Sequence, residues 1–189
     1  MKASKAIRRT AALILAFSML LTLGVSVSAQ ESEGMDHSGF GPLAGPFETA
    51  PEVTAACLTC HAGVGEDFMQ TVHWTWEYES ATTGETYGKY QVLNNYCVNV
   101  RTNEPRCTSC HAGYGWTDES FDHSNPGNID CLVCHDSTGT YKKFPTGAGH
   151  PAYEDKSFGG KDWPAVDLVT VAQGVGTPSR ANCGACHFT

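Results

Sequence analysis

A five-residue pattern, two cysteines separated by two residues and followed at once by a histidine, occurs four times in this 189-residue chain. It reads CLTCH at residues 57–61, CTSCH at 107–111, CLVCH at 131–135 and CGACH at 183–187, which we number sites 1 to 4. A cysteine pair with this spacing is typical of four structures: a disulfide, a redox-active dithiol, half of a zinc site, or an anchor for a covalent cofactor. One interpretation has to explain all four sites.

The histidine that follows each pair separates these alternatives. Cysteines this close form strained, reducible disulfides, and two pairs can bind zinc through four thiolates, but neither structure needs a histidine after every pair. Attachment of haem c does need it, because the two thiols form thioethers to the porphyrin and the histidine binds the iron. We therefore predict four covalently attached haem c groups. The thioether donors are Cys57, Cys60, Cys107, Cys110, Cys131, Cys134, Cys183 and Cys186, and the proximal iron ligands are His61, His111, His135 and His187.

Residues 1–29 have the pattern of a secretory signal peptide. Four basic residues precede the apolar run AALILAFSMLLTLGV, and the small residues VSA precede an expected cleavage at Gln30. A membrane anchor is the alternative, but the run is short for a span of about 20 residues. We expect a periplasmic or otherwise exported protein, free of the membrane after processing, in which residues 30–189 form a tetrahaem cytochrome c region.

The charge of the processed chain excludes one class of partner. The signal segment contains four of the 12 Lys and Arg residues and none of the 20 Asp and Glu residues, so 8 basic residues remain against 20 acidic ones, a net charge of −12. Nucleic acid binding needs a basic surface, and we therefore expect no nucleic acid partner. An acidic surface is either simply solvated or able to attract a basic redox partner protein.

The composition predicts a thin conventional core, because the chain has 20 Gly, 9 Pro and few long stretches of apolar periodicity. The predicted fold class is a multihaem cytochrome c, mainly irregular with short α-helices and little β, whose core is built from covalently bound haems. We expect helical turns at each site, a helix near residues 66–76, and a helix over 164–173 that ends at Gly174. The sequence TTGET predicts the turn of a small β-hairpin.

Four histidines lie outside the motifs and match the number of haems. They are His37, His73, His123 and His150. Each is either a surface or core histidine or the second axial ligand of a haem, and four such ligands allow complete bis-histidine ligation.

Three further residues are candidates for chemistry. Cys97 belongs to no motif, and it is either a small apolar side chain in the interior or a reactive thiol near a haem. Lys142 and Lys143 follow site 3 closely, and each is either solvated or, with a lowered pKa, able to bind iron as a neutral amine.

The segments DHSGFGPLAGPF, VTAACLTCH, TVHWTWEY, NNYC, NEPRCTSCHAGYGW, NIDCLVCHDSTGTYKK and PSRANCGACHF together resemble the N-terminal half of the octahaem tetrathionate reductase family of c-type cytochromes. The resemblance implies a periplasmic enzyme with mostly bis-histidine haems and one active-site haem that has a lysine amine as distal ligand and a cysteine nearby. It implies reduction of tetrathionate, and also of nitrite or hydroxylamine. It makes Cys97, Lys142 and Lys143 the candidate catalytic residues, which we assign to the haem of site 2.

Two alternatives remain open from the sequence. The chain ends two residues after site 4, so we expect the N-terminal part of a longer octahaem enzyme, with a complete tetrahaem protein as the alternative. The function is either reduction of a small sulfur or nitrogen compound or electron transfer without a catalytic site. The distal ligands distinguish these functions, because four imidazoles favour the electron carrier and one lysine favours the enzyme.

Overall fold

The structure is a computed structural model, and it describes residues 34–89 and 103–187. The predicted signal peptide and Cys97 lie outside the described residues. Within these two ranges, no helix has the length and apolar character needed to cross a membrane.

Short helices and two small hairpins make up the regular structure. The α-helices are α1 (Ala50–Leu58), α2 (Val64–Phe68), α3 (Val72–Thr75), α4 (Glu104–Cys107), α5 (Leu132–His135), α6 (Leu168–Gln173) and α7 (Arg180–His187). The strands are β1 (Glu77–Glu79), β2 (Thr86–Gly88), β3 (Lys156–Phe158) and β4 (Lys161–Trp163), and short 3-10 helices occupy Gly41–Leu43, Thr108–Cys110 and Pro126–Asn128. This content agrees with the predicted class, whereas the core of haem groups stays a prediction.

The helix predicted near residues 66–76 is two helices. Thr71 between α2 and α3 has an extended backbone, with φ −87° and ψ 157°, and α3 ends where Trp76 adopts a left-handed φ of 57°. This break allows α3 to direct the indole of Trp74 into the interior, where Nε1 donates a hydrogen bond to the carbonyl of His123 at 2.9 Å.

The helix predicted over residues 164–173 begins later, at Leu168, and ends at Gly174 as predicted. Its start is delayed because the Val166 N–H donates to the carbonyl of Ala152 and the Asp167 carboxylate accepts from the first free N–H groups of α6. The predicted hairpin is confirmed: β1 pairs antiparallel with β2, with Tyr78 opposite Tyr87.

The main apolar cluster joins α1, α5 and α6. Its buried members are Leu43, Ala50, Val53, Tyr114, Leu132, Tyr141, Leu168, Val171 and Ala172. The helix that ends in site 1 and the helix that forms site 3 therefore share one core.

The backbone also connects site 2 to site 3. The Asp130 N–H donates to the carbonyl of Ala112 at 2.9 Å, and the Tyr114 N–H donates to the carbonyl of Asn128 at 2.8 Å. The segment that leaves site 2 is thus paired antiparallel with the segment that enters site 3. This pairing fixes the two sites next to each other.

Candidate haem-binding sites

Each motif lies on a helical turn. Site 1 begins in the last turn of α1, site 2 continues from α4 into a 3-10 helix, site 3 forms α5, and site 4 ends α7. Residues three and four apart share one face of a helix, so each turn brings both thiols and the following imidazole to the same side. All eight motif cysteines are free thiols, as thioether formation requires.

The described residues offer no alternative metal cluster. Among residues 34–89 and 103–187, no three or more His, Cys, Asp or Glu side chains converge to hold a metal ion. A zinc site of four thiolates would need such a cluster.

Two histidines have their Nδ1 atom fixed by a backbone carbonyl. His37 Nδ1 lies 2.7 Å from the carbonyl oxygen of Met35, and His135 Nδ1 lies 2.9 Å from that of Gly176. A carbonyl only accepts, so Nδ1 carries a proton, and in the neutral imidazole the lone pair is on Nε2. This is the arrangement of a histidine that binds a metal through Nε2.

Three motif histidines each lie near one of the predicted distal histidines. The ring centres are 6.4 Å apart for His37 and His61, 6.3 Å for His73 and His187, and 6.3 Å for His111 and His123. Two imidazoles on opposite sides of one iron have ring centres about 6 Å apart, because each metal–nitrogen bond is about 2 Å and each nitrogen lies about 1 Å from its ring centre. The ring-centre distances at sites 1, 2 and 4 therefore agree with the spacing of bis-histidine haems, while the ligand roles of these histidines stay predictions.

The fourth predicted distal ligand has different neighbours. His150 Nδ1 is 2.7 Å from the Tyr153 hydroxyl, and its ring stacks on Tyr114 with centres 5.3 Å apart. None of the three pairs includes His135 of site 3. Three of the four predicted distal histidines thus lie near a motif histidine, whereas His150 lies against Tyr114 and Tyr153.

His111 of site 2 differs from the other motif histidines because it is buried. Its ring packs between Trp74, Trp76 and Trp116, with centres 4.8–5.4 Å away. Its Nε2 donates to the carbonyl of Trp74 at 2.7 Å, while the buried Nδ1 has no hydrogen-bond partner.

Burial is the main cause that lowers the pKa of His111, to about 3, and Lys143 and His123 lower it further. The imidazole is therefore neutral at physiological pH, with an unpartnered nitrogen. Its free lone pair is on Nδ1, the reverse of His37 and His135, so the role of His111 as an iron ligand through Nε2 stays a prediction.

The predicted catalytic residues are placed as follows. Lys142 is exposed. The side chain of Lys143 is only 7% exposed, and its Nζ contacts the carboxylate of Asp130 at 3.1 Å and the backbone carbonyls of His111 and Gly113. Cys97 lies outside the described residues. The assignment of these three residues to a reactive haem at site 2 stays a prediction, and the described imidazole closest to the distal position there is that of His123.

The sequence analysis missed a buried polar cluster between sites 2 and 3. Asp130 Oδ1 accepts from the Tyr114 hydroxyl at 2.7 Å, and Oδ2 accepts from the Tyr141 hydroxyl at 3.0 Å. Asp130 and Tyr114 are 1% and 2% exposed. The sequence could have indicated this cluster by position alone, because Asp130 directly precedes Cys131 and Tyr114 follows His111 by three residues.

Comparison with solved structures gives one informative likeness. The chain is similar to the crystal structure of octahaem cytochrome c from Shewanella oneidensis, with 48% sequence identity and a TM-score of 0.69. The match covers 82% of this chain and 33% of that one, so this chain spans about a third of its length. No protein-family model and no curated protein matches the chain.

Proposed function

We propose that this chain, a multihaem c-type cytochrome by its likeness to an octahaem cytochrome c, acts in a haem-dependent reductase that delivers electrons to a small sulfur or nitrogen compound. Tetrathionate is the proposed substrate, with nitrite and hydroxylamine as further substrates. The protein is proposed to work after export, with redox partner proteins as its source of electrons. The observation that carries the electron-transfer part is the set of three histidine pairs at 6.3–6.4 Å.

Haem c, when bound, supplies one-electron transfer at every iron and a substrate position where the sixth ligand is weak. The residues of the chain set which role each site has. At sites 1, 2 and 4 the paired imidazoles would fill both axial positions, which favours electron transfer over binding of substrate. The hydrogen bond of His37 to the carbonyl of Met35 would orient the ring for this role.

We propose site 3 as an alternative to site 2 for the reactive position, because His111 of site 2 already lies near the imidazole of His123. The carbonyl of Gly176 orients His135, and His135 is in none of the three histidine pairs at 6.3–6.4 Å. Lys142 is exposed, whereas Lys143 is held in an ion pair with Asp130. Lys142 is therefore a better candidate than Lys143 for the lysine ligand that the resemblance implies.

The reaction to test is the reductive cleavage of tetrathionate. One tetrathionate ion takes up two electrons, its central S–S bond breaks, and two thiosulfate ions leave. The matured protein is reduced, freed of excess reductant and mixed with tetrathionate, nitrite or hydroxylamine, and its haem reoxidation is followed optically. We expect reoxidation by tetrathionate with formation of two thiosulfate ions per two electrons.

Electron transfer without catalysis is the second candidate, and the histidine pairs favour it for three sites. The ferric EPR spectrum separates the two functions, because bis-histidine haems are low-spin and a displaceable ligand gives a haem that binds added ligands. Four low-spin haems that neither bind ligands nor are reoxidised by any of the three substrates would establish the carrier. The variant K142Q tests the lysine, with K161Q in β4 as an exposed control.

A further inference from the structure

The buried ion pair between Lys143 and Asp130 lies between two haem sites. Lys143 Nζ is 3.1 Å from Asp130 Oδ2, and the two side chains are 7% and 0% exposed. Opposite charges in the interior interact strongly because water does not screen them, and removal of either charge leaves the other unpaired. This pair therefore fixes a positive and a negative charge at defined positions.

Each charge has a direct contact with one site. The ammonium of Lys143 donates to the backbone carbonyl of His111, the proximal histidine of site 2. The carboxylate of Asp130 accepts from the N–H of Val133 at 3.0 Å, inside the turn that carries Cys131 and Cys134 of site 3. The pair thus connects the backbones of both motifs.

Two tyrosines complete the unit. The hydroxyls of Tyr114 and Tyr141 donate to the two oxygens of the Asp130 carboxylate, and they lie 3.4 Å from each other. Burial is the main cause that raises the pKa of each tyrosine well above its ordinary value, so both hydroxyls keep their protons and act as donors. The carboxylate is therefore held by two hydroxyls, one amide and one ammonium.

We propose that Lys143, Asp130, Tyr114 and Tyr141 form a positioning unit that orients the proximal ligand of site 2 and the turn of site 3, and whose paired charges set the reduction potentials of the haems there. Lys143 in this unit is a fixed charge and not an iron ligand. The inference rests on the multihaem part of the proposed function and is independent of the substrate.

The test uses the variants D130N, K143Q and the double variant D130N/K143Q, matured with haem in the full chain. A positive charge near a haem favours the reduced state and a negative charge disfavours it. D130N should therefore shift the midpoint potential of at least one haem upward, and K143Q should shift it downward. The double variant removes both charges and should return the midpoint toward that of the unmodified protein.

The matched control is the exposed ion pair between Glu154 and Lys156, 3.4 Å apart, where E154Q should leave every midpoint unchanged. The proposal is overturned if D130N and K143Q shift the midpoint potentials in the same direction. It is also overturned if neither variant shifts any midpoint potential. A high-spin haem in K143Q also overturns it, because that result makes Lys143 an iron ligand.

If D130N or K143Q does not acquire its haems, the variant Y141F provides the test, because it keeps both charges and removes one hydrogen-bond donor to Asp130. Without this donor, the negative charge of Asp130 is less neutralised and acts more strongly on the haems. The proposal therefore requires that Y141F binds four haems and that its midpoint potential shifts downward by less than that of K143Q. An unchanged midpoint in Y141F overturns the proposal. These midpoint measurements do not depend on tetrathionate reduction. Failure of the proposed reductase function is therefore distinguishable from failure of the proposed positioning unit.

Discussion

At the residue scale, a buried hydrogen bond joins the helix of site 1 to the segment that precedes site 3. Thr54 in α1 is fully buried, and its hydroxyl donates to the carbonyl of Ile129 at 2.6 Å. Its Oγ1 also lies 3.9 Å from the sulfur of Cys131. One hydroxyl therefore connects the helix of site 1 to the segment that enters site 3.

The substitution T54V tests this connection because it keeps the shape of the side chain and removes the donor. The carbonyl of Ile129 then stays buried without a partner, so we expect the free energy of unfolding of the matured protein to fall by about 1–3 kcal/mol. The measurement is urea denaturation followed by the optical spectrum.

The control for T54V lies in the next turn of the chain. The Thr59 hydroxyl donates to the carbonyl of Ala56 at the same distance of 2.6 Å, but Thr59 is exposed. Water can replace this bond, so T59V should change the free energy of unfolding by less than about 0.5 kcal/mol. Equal effects of the two variants would contradict the role given to burial.

At the element scale, the loop after site 3 packs against the loop after site 2. The Gly115 N–H donates to the carbonyl of Ala148 at 2.8 Å, and the Ala148 N–H donates to the carbonyl of Pro105 at 3.1 Å. Gly149 has a positive φ of 91°, and a Cβ atom there would overlap the carbonyl oxygen of Gly113. Only glycine allows these two backbones to approach so closely.

The substitution G149A should therefore destabilise the matured protein strongly and disturb the haem of site 2. Gly139 provides the control, because its φ is also positive, at 73°, and a Cβ atom there would meet nothing within 4 Å. We expect G139A to lower the free energy of unfolding by about 1–2 kcal/mol through backbone strain alone. A G149A protein as stable as G139A, with an unchanged EPR spectrum, would contradict the close approach.

The sequence predicted the local elements better than the contacts among them. The TTGET hairpin and the end of α6 at Gly174 depend on turn and capping residues near in sequence, so they were predictable. The break at Thr71 and the late start of α6 depend on distant partners, the carbonyls of His123 and Ala152. Sequence patterns carry no information about such partners.

The same limit applies to the sites. The spacing within each motif was enough to predict a cofactor and its proximal ligands, because these residues act within one turn of the chain. The pairing of His73 with His187 spans more than 100 residues, and the contact of Lys143 with Asp130 depends on burial. Both needed the folded arrangement, which also separated the two lysines into one exposed and one buried.

At the scale of the whole molecule, the four motifs form one connected set. Sites 1 and 3 share the apolar core, sites 2 and 3 share a backbone pairing, and Asn182 in α7 of site 4 donates to the carbonyl of Asp136 beside site 3 at 2.8 Å. Site 3 therefore contacts the segments of all three other sites. An arrangement of this kind would place the predicted haems close together, as electron transfer among them requires.

The central claim is that all four motifs carry covalent haem c, and the mass of the denatured, matured chain tests it most directly. The full chain is produced in a host with c-type maturation machinery, then denatured and measured by mass spectrometry. Thioether bonds survive denaturation, so the account predicts one species that is heavier than the processed polypeptide by four haem groups. A polypeptide mass without porphyrin, and zinc bound in the native protein, would contradict it.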